Sequence, residues 1–244
     1  MNQRKIKNNF DAKKKNFFKY NLIFFLFNSL FFLLFPQIDI FFSKLFYHEG
    51  FFLDHHINFI KDFRSFLKTL MIIFPILCLI YFVILTINSK QKILNETKSK
   101  VLRKKIILLG FIIGPIIGCG LISNMYFKDT WGRARPINIE EFGGSKIYTP
   151  PFFKSNQCER NCSWISGEAS AAFSFLVGTV MIRKNRTFLF YNLIFGFFVI
   201  FARLSMGGHF LSDNLFAINF MIFLAYLYRF AIIQLYKRKI ITTK

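Results

Sequence analysis

The amino-acid sequence predicts an all-α, polytopic membrane protein: one bundle of six spanning helices with both termini on the cytoplasmic side. Three observations carry this reading. Of the 244 residues, 54% are hydrophobic and 37 are phenylalanine, more apolar surface than a soluble domain of this length can hide. The apolar residues come in long blocks instead of the mixed pattern of an amphipathic globular fold. The net charge of +21 is gathered in short segments between those blocks. Such segments are retained on the cytoplasmic face and attracted to anionic lipid. They are too short to form a folded basic domain, which argues against nucleic acid as a partner.

Taken in order, residues 1–19 carry Arg4, Lys5, Lys7, Lys13, Lys14, Lys15 and Lys19 against Asp11. The stretch is too polar to cross a membrane and has no small-residue cleavage site, so it reads as a basic cytoplasmic tail. The first span covers Tyr20 to Phe35 and is closed by Pro36. A spanning helix needs roughly 20 residues, so this core is expected to extend on either side. Residues 37–66 mix aromatics with Asp39, Glu49, Asp54 and Asp62 and read as interfacial, non-cytoplasmic structure. The second span, Leu67 to Ile87, leads into a basic cytoplasmic loop ending at Lys105.

The third span, Ile106 to Phe127, has Gly110, Gly114 and Gly118 on one stripe. Small residues at that spacing let helix backbones approach closely, and Pro115 is expected to kink the helix. Residues 128–165 form a polar excursion of mixed sign. The fourth span begins near Ser166 and stops before the basic turn Arg183-Lys184-Asn185-Arg186. The fifth runs from Thr187 to Leu204 and the sixth from Phe210 to Tyr236, leaving 237–244 as a second basic tail. Lysine and arginine bias then puts the tails, the 88–105 loop and the 183–186 turn on one side. Segments 37–66, 128–165 and 205–209 share the other, so the spanning domain is 20–236.

Three polar segments on that outer face carry candidate chemistry. Lys128-Asp-Thr-Trp-Gly-Arg-Ala-Arg135-Pro136 follows the third span. Its cations could snorkel beside Trp131, but they stand where positive charge is disfavoured, which suggests a fixed anion. Ser166 and Gly167 open the fourth span, either as an ordinary serine cap or as a helix N-terminus whose free N–H groups bind an anion. In Arg203-Leu-Ser-Met-Gly-Gly-His209-Phe-Leu-Ser-Asp213, a glycine pair gives a tight turn, and Asp213 lies on the same helical face as His209. An aspartate accepting from one imidazole nitrogen leaves the other free as nucleophile or base. Glu168, His209 and Asp213 could also be metal ligands, but Lys128, Arg135 and Arg203 would crowd such a pocket. The simplest reading is a phosphate site with no metal and no cofactor.

Cys158 and Cys162 lie in the outer loop just before Ser163. In an oxidising compartment they could close a small disulfide ring that stiffens the approach to Ser166; the alternative is two free thiols.

Together the three segments resemble the type 2 phosphatidic acid phosphatase (PAP2) superfamily. Lys128 through Arg135-Pro136 matches its first motif, and Arg203, His209 and Asp213 match its third. Ser166-Gly167 matches the second, with Glu168 where that motif has histidine. Trp131-Gly132-Arg133, Pro150-Pro151, the Gln157–Ser163 run and the Pro36–Phe46 segment are most similar to the branch of bacterial lipid A 4′-phosphatases.

The resemblance implies a metal-independent phosphatase with a PAP2-like bundle. It acts on a phosphorylated membrane lipid at the periplasmic face of the bacterial inner membrane. His209 would attack phosphorus, Asp213 would orient it, and Lys128, Arg135, Arg203 and the backbone at Ser166–Gly167 would bind phosphoryl oxygens. Glu168 is either the general acid or a positioning group, depending on whether desolvation or the nearby cations prevail. Lipid A is the expected substrate. Undecaprenyl diphosphate and phosphatidylglycerophosphate are alternatives within the fold, and a non-catalytic phosphate-binding or transport protein is the alternative outside it.

Overall fold

In the computed structural model, backbone is described for residues 3–91, 98–182 and 186–242, and side chains for 18–88, 100–182 and 186–235. The basic segments expected on the cytoplasmic side (1–19, 88–105, 183–186 and 237–244) fall largely outside the described side chains.

Helix α1 (Gln3–Leu34) ends at the Pro36 turn, and α2 (Ile38–Lys44) leaves it at 86°. Proline supplies no N–H to continue the helical ladder, so the chain turns here. A short hairpin follows, β1 (Tyr47–His48) and β2 (Phe51–Phe52), paired Tyr47 to Phe52 and His48 to Phe51. A single turn, α3 (Leu53–His56), leads into α4 (Phe59–Gln91). Helix α4 begins eight residues earlier than the expected span at Leu67. The polar residues from Lys61 to Arg64 are its first turns, not interfacial loop.

Helix α5 (Lys98–Pro115) does not break at Pro115. It continues as a π-wound stretch, Ile116–Phe127, and ends in the turn α6 (Lys128–Thr130), with the Lys128 N–H donating to the Ser123 carbonyl five residues back. Pro115 cannot donate to the preceding turn, and the widened winding takes up that gap instead of a sharp break.

The expected fourth span is the largest departure. Residues 166–182 fold as α7 (Gly167–Ser174) and α8 (Leu176–Thr179), and Ala172, Phe173, Leu176 and Val177 are buried in the central apolar cluster. It is a short, protein-wrapped core helix. Its closeness to α5 depends on the glycine stripe. A Cβ on Gly110 would lie 2.8 Å from Gly178 Cα, one on Gly114 would strike the Ser174 carbonyl, and one on Gly118 would strike the Met221 sulfur. Helices α9 (Arg186–Ser205) and α10 (Leu211–Thr242) complete the bundle, and α1 packs on α10 through Phe25 and Phe32 against Phe216. Among the described residues, four helices are long and apolar enough to cross a membrane, or five if α1 and α2 form one bent span.

Candidate active site

The three polar segments, far apart in the chain, are stitched together by backbone hydrogen bonds. The Ser163 and Cys162 N–H groups donate to the Arg133 and Lys128 carbonyls at 2.8 and 3.2 Å. Ser166 N–H donates to the Asp213 carbonyl at 3.2 Å, and Ile137 N–H to the Gly207 carbonyl at 3.0 Å. The last two bonds require the turn between α9 and α10. Gly207 takes φ +57° there, with the Phe52 ring against it. Gly208 leaves room for the Arg203 guanidinium, which any Cβ at that position would strike.

They meet at a cavity of about 710 Å³ between α4, α5 and α7. Lys128, Arg135, Gly167, Glu168, Arg203 and His209 all line it. Its charged residues comprise five cations, with Arg64 and Lys68 added, against the carboxylates of Asp129 and Glu168. Away from that pole the wall turns apolar at Met71, Ile72, Pro75, Pro115 and Ile116. Lys128 and Arg135 are held side by side through Asn161, whose Oδ1 accepts from Lys128 Nζ at 3.2 Å and from Arg135 Nη2 at 2.9 Å. Arg203 is 4% exposed, and its Nε is buried with no hydrogen-bond partner among the described residues. Converging donors of this kind suit the oxygens of an anion.

His209 is buried, and its Nδ1 lies 2.8 Å from the Ser163 carbonyl. A carbonyl can only accept, so Nδ1 carries the proton and Nε2 keeps its lone pair. Burial, and then the charges of Arg203, Lys128 and Arg135, push the imidazole well below its usual pKa and keep it neutral. Burial likewise lowers the Arg135 pKa.

Asp213 does not make the expected hydrogen bond to His209; Oδ2 stands 3.6 Å from Nδ1. Its oxygens instead accept from Ser163 Oγ at 2.5 Å, Phe210 N–H at 2.8 Å and Arg133 Nη1 at 2.5 Å. Asp213 therefore reaches the imidazole through Ser163. Of its two alternatives, Ser166 takes that of the serine cap and not that of a phosphate ligand. It is fully buried, its hydroxyl caps α7 by accepting from Ala169 N–H at 3.3 Å, and its own N–H is already used. Gly167 does face the cavity, where a Cβ would sit 2.9 Å from Lys128 Nζ.

Glu168 is clasped by Arg64, with Nε 3.1 Å from both carboxylate oxygens and Nη2 2.5 Å from Oε1, while Arg203 Nη1 stands 3.8 Å away. Two guanidinium groups around one carboxylate favour its ionised form. Sequence reasoning missed Arg64. The signal was an arginine in a segment read as non-cytoplasmic, the anomaly that singled out Lys128. It also missed Asp39; Arg133, which stood among the outer-face cations that suggested an anion, is turned away from the cavity. Both are 0% exposed, and Arg133 Nη2 meets Asp39 Oδ2 at 2.8 Å. Burial opposes the Arg133 charge, but Asp213 and Asp39 more than offset it, leaving its pKa above the usual arginine value.

Cys158 and Cys162 form a disulfide with Cα atoms 5.6 Å apart, enclosing Asn161. Among the described residues, no group of three or more His, Cys, Asp or Glu side chains is placed to hold a metal ion.

A sequence model of the PAP2 superfamily matches residues 104–237. The chain is 35% identical over 185 residues to a lipid A 4′-phosphatase of Francisella tularensis subsp. novicida, covering 75% of this chain and 80% of that one. It is 28% identical to a protein of the same name from Rhizobium etli (73% of each chain), and 29% identical to one from Rhizobium leguminosarum (73% of this chain, 80% of that one). No solved structure matches it.

Proposed function

The chain belongs to the PAP2 superfamily and is a phosphoric monoester hydrolase, and from that premise we propose that it removes the 4′-phosphate of lipid A through a phosphohistidine intermediate. One observation carries the proposal: a neutral, buried His209 opens onto the same cavity as Lys128, Arg135 and Arg203. The phosphate lies among the three cations. His209 Nε2 donates its lone pair to phosphorus as the phosphorus–oxygen bond to the lipid breaks, and the departing oxygen takes a proton from water. A second water then hydrolyses the nitrogen–phosphorus bond, releasing phosphate. The cations stabilise charge on the phosphoryl oxygens in both steps, and losing one such donor costs on the order of 10²–10³ in rate.

Glu168, paired with Arg64, acts as a positioning group. Ser166 contributes by capping α7, and Gly167 by admitting the Lys128 ammonium. The apolar wall from Met71 to Ile116 suits the hydrocarbon part of a lipid next to its phosphate. Both termini lie in the cytoplasm and α7–α8 forms the centre of a six-helix layout. The cavity then faces the periplasm, from the inner membrane of a bacterium.

Phosphate release by the purified full-length protein, measured in parallel on lipid A, undecaprenyl diphosphate and phosphatidylglycerophosphate, tests this. Turnover of lipid A that is lost in His209→Ala is expected. Activity surviving in that variant refutes the mechanism, preference for another substrate refutes the lipid A assignment, and activity on none returns the chain to a phosphate-binding role.

A further inference from the structure

Behind His209, on the side away from the cavity, lies a buried charged cluster that none of the phosphate-binding residues touches. Arg133 is at its centre. Its Nη1 donates to Asp213 Oδ1 at 2.5 Å and to Ser212 Oγ at 2.9 Å, its Nη2 to Asp39 Oδ2 at 2.8 Å, and its Nε to the Thr149 carbonyl at 2.8 Å. Asp39, arriving from α2, also accepts from Ser212 N–H at 2.8 Å and Ser212 Oγ at 2.5 Å, fastening the first turn of α10. Arg133, Asp39 and Asp213 are each 0% exposed, and none of them lines the cavity. They cannot touch a substrate there.

What the cluster holds is Ser163. Its N–H donates to the Arg133 carbonyl at 2.8 Å and its hydroxyl to Asp213 Oδ2 at 2.5 Å, while Asp213 is itself held by the Arg133 side chain. This closes a ring of three residues, with the Ser163 carbonyl pointing out of it at 2.8 Å from His209 Nδ1. We propose that Asp39 and Arg133 are positioning residues of the reaction, acting on His209 through Asp213 and Ser163; this rests on His209 being the nucleophile.

Two physical consequences follow. First, the carbonyl keeps the proton on Nδ1 and aims Nε2 at the phosphate. Second, the donors on each carboxylate work against the burial that opposes its charge, and with both carboxylates ionised the one guanidinium between them leaves one net negative charge behind the imidazole. When the Nε2 lone pair bonds to phosphorus, Nδ1 keeps its proton and the ring becomes a cationic phosphoimidazolium. The net charge behind it favours that cation over the neutral imidazole. It is realised only as the bond forms, so it acts on the chemical step and not on phosphate binding.

The test uses the full-length enzyme in detergent micelles with Asp39→Asn, which preserves shape and removes one charge. Turnover of the lipid substrate, the KM, binding of inorganic phosphate and the melting temperature are measured together. The expected result is a kcat lower by roughly 10- to 100-fold, the worth of one hydrogen bond to a charged group, with KM and phosphate affinity unchanged. An unchanged kcat per folded molecule overturns the proposal, as does a rise in KM and phosphate Kd that accounts for the whole loss.

Should Asp39→Asn fail to fold, Ser163→Ala removes only the hydroxyl link to Asp213. A kcat loss at constant phosphate affinity is expected there too, and an unchanged kcat overturns the proposal. His209→Ala run alongside separates the two readings. Turnover surviving in His209→Ala refutes the nucleophile itself, whereas an inactive His209→Ala beside a fully active Asp39→Asn removes only the positioning role.

Discussion

Arg64 in α4 clasps Glu168 in the first turn of α7 with both Nε and Nη2, joining two helices whose sequence positions differ by 104. This pair favours the ionised form of Glu168, and so the positioning role over that of proton donor. Replacing it by glutamine should keep the shape and weaken the clasp. Glu168→Gln is expected to lose less than about tenfold in kcat, whereas loss of a general acid costs typically 10²–10⁴. A loss in that larger range, with the melting temperature unchanged, would restore the acid assignment.

With His209 as the proposed nucleophile, its protonation is expected to set the acid side of the profile. Its folded-state pKa lies well below the ordinary 6.5, because of burial first and the neighbouring cations second. Nε2 therefore keeps its lone pair below pH 6.5, and the acid limb of kcat/KM should fall below that value. Stability has the matching sign. Between the folded pKa and 6.5 the unfolded chain binds a proton that the native chain does not, so this residue's contribution to stability shrinks as pH falls through that window. An acid limb at the ordinary imidazole value would contradict both statements.

The glycine stripe offers a steric test with an internal control. Gly114→Ala drives a Cβ into the Ser174 carbonyl of α7, whereas at Gly120 the nearest atom to an added Cβ is the Pro115 carbonyl oxygen at 3.9 Å. Overpacking of this sort typically costs about 1–3 kcal/mol. Gly114→Ala should lower the melting temperature and Gly120→Ala should leave it nearly unchanged. Equal melting temperatures would mean that α5 and α7 can move apart freely.

Asn161 sits inside the Cys158–Cys162 ring and carries the hydrogen bonds that keep Lys128 beside Arg135. Reduction, or the Cys158→Ser and Cys162→Ser pair, should raise KM for the phosphorylated lipid more than it lowers kcat, since Ser163, which holds His209, keeps its own bonds to Arg133 and Asp213. Asn161→Ala should reproduce that pattern. Mass spectrometry after alkylation without reductant checks the premise, which fails if both thiols are modified.

The sequence by itself determined the helical membrane class and singled out Lys128, Arg135, Gly167, Glu168, Arg203 and His209, which the structure brings to one cavity. Those features are local. Apolar runs mark helices by their length, and Arg203, His209 and Asp213 are brought together by one glycine turn and one turn of helix. Only the tertiary structure decided that α7 is a buried core helix. It also decided that His209 donates to the Ser163 carbonyl and not to Asp213, that Arg64 lines the cavity, and that Asp39 and Arg133 pair outside it. Asp39 and Arg133 are 94 positions apart. Their pairing depends on how α2 folds back after Pro36 and how closely the helices pack, and neither is written in the spacing of any one segment. A buried charge must find its partner wherever packing places one, and that partner is chosen by the assembled bundle.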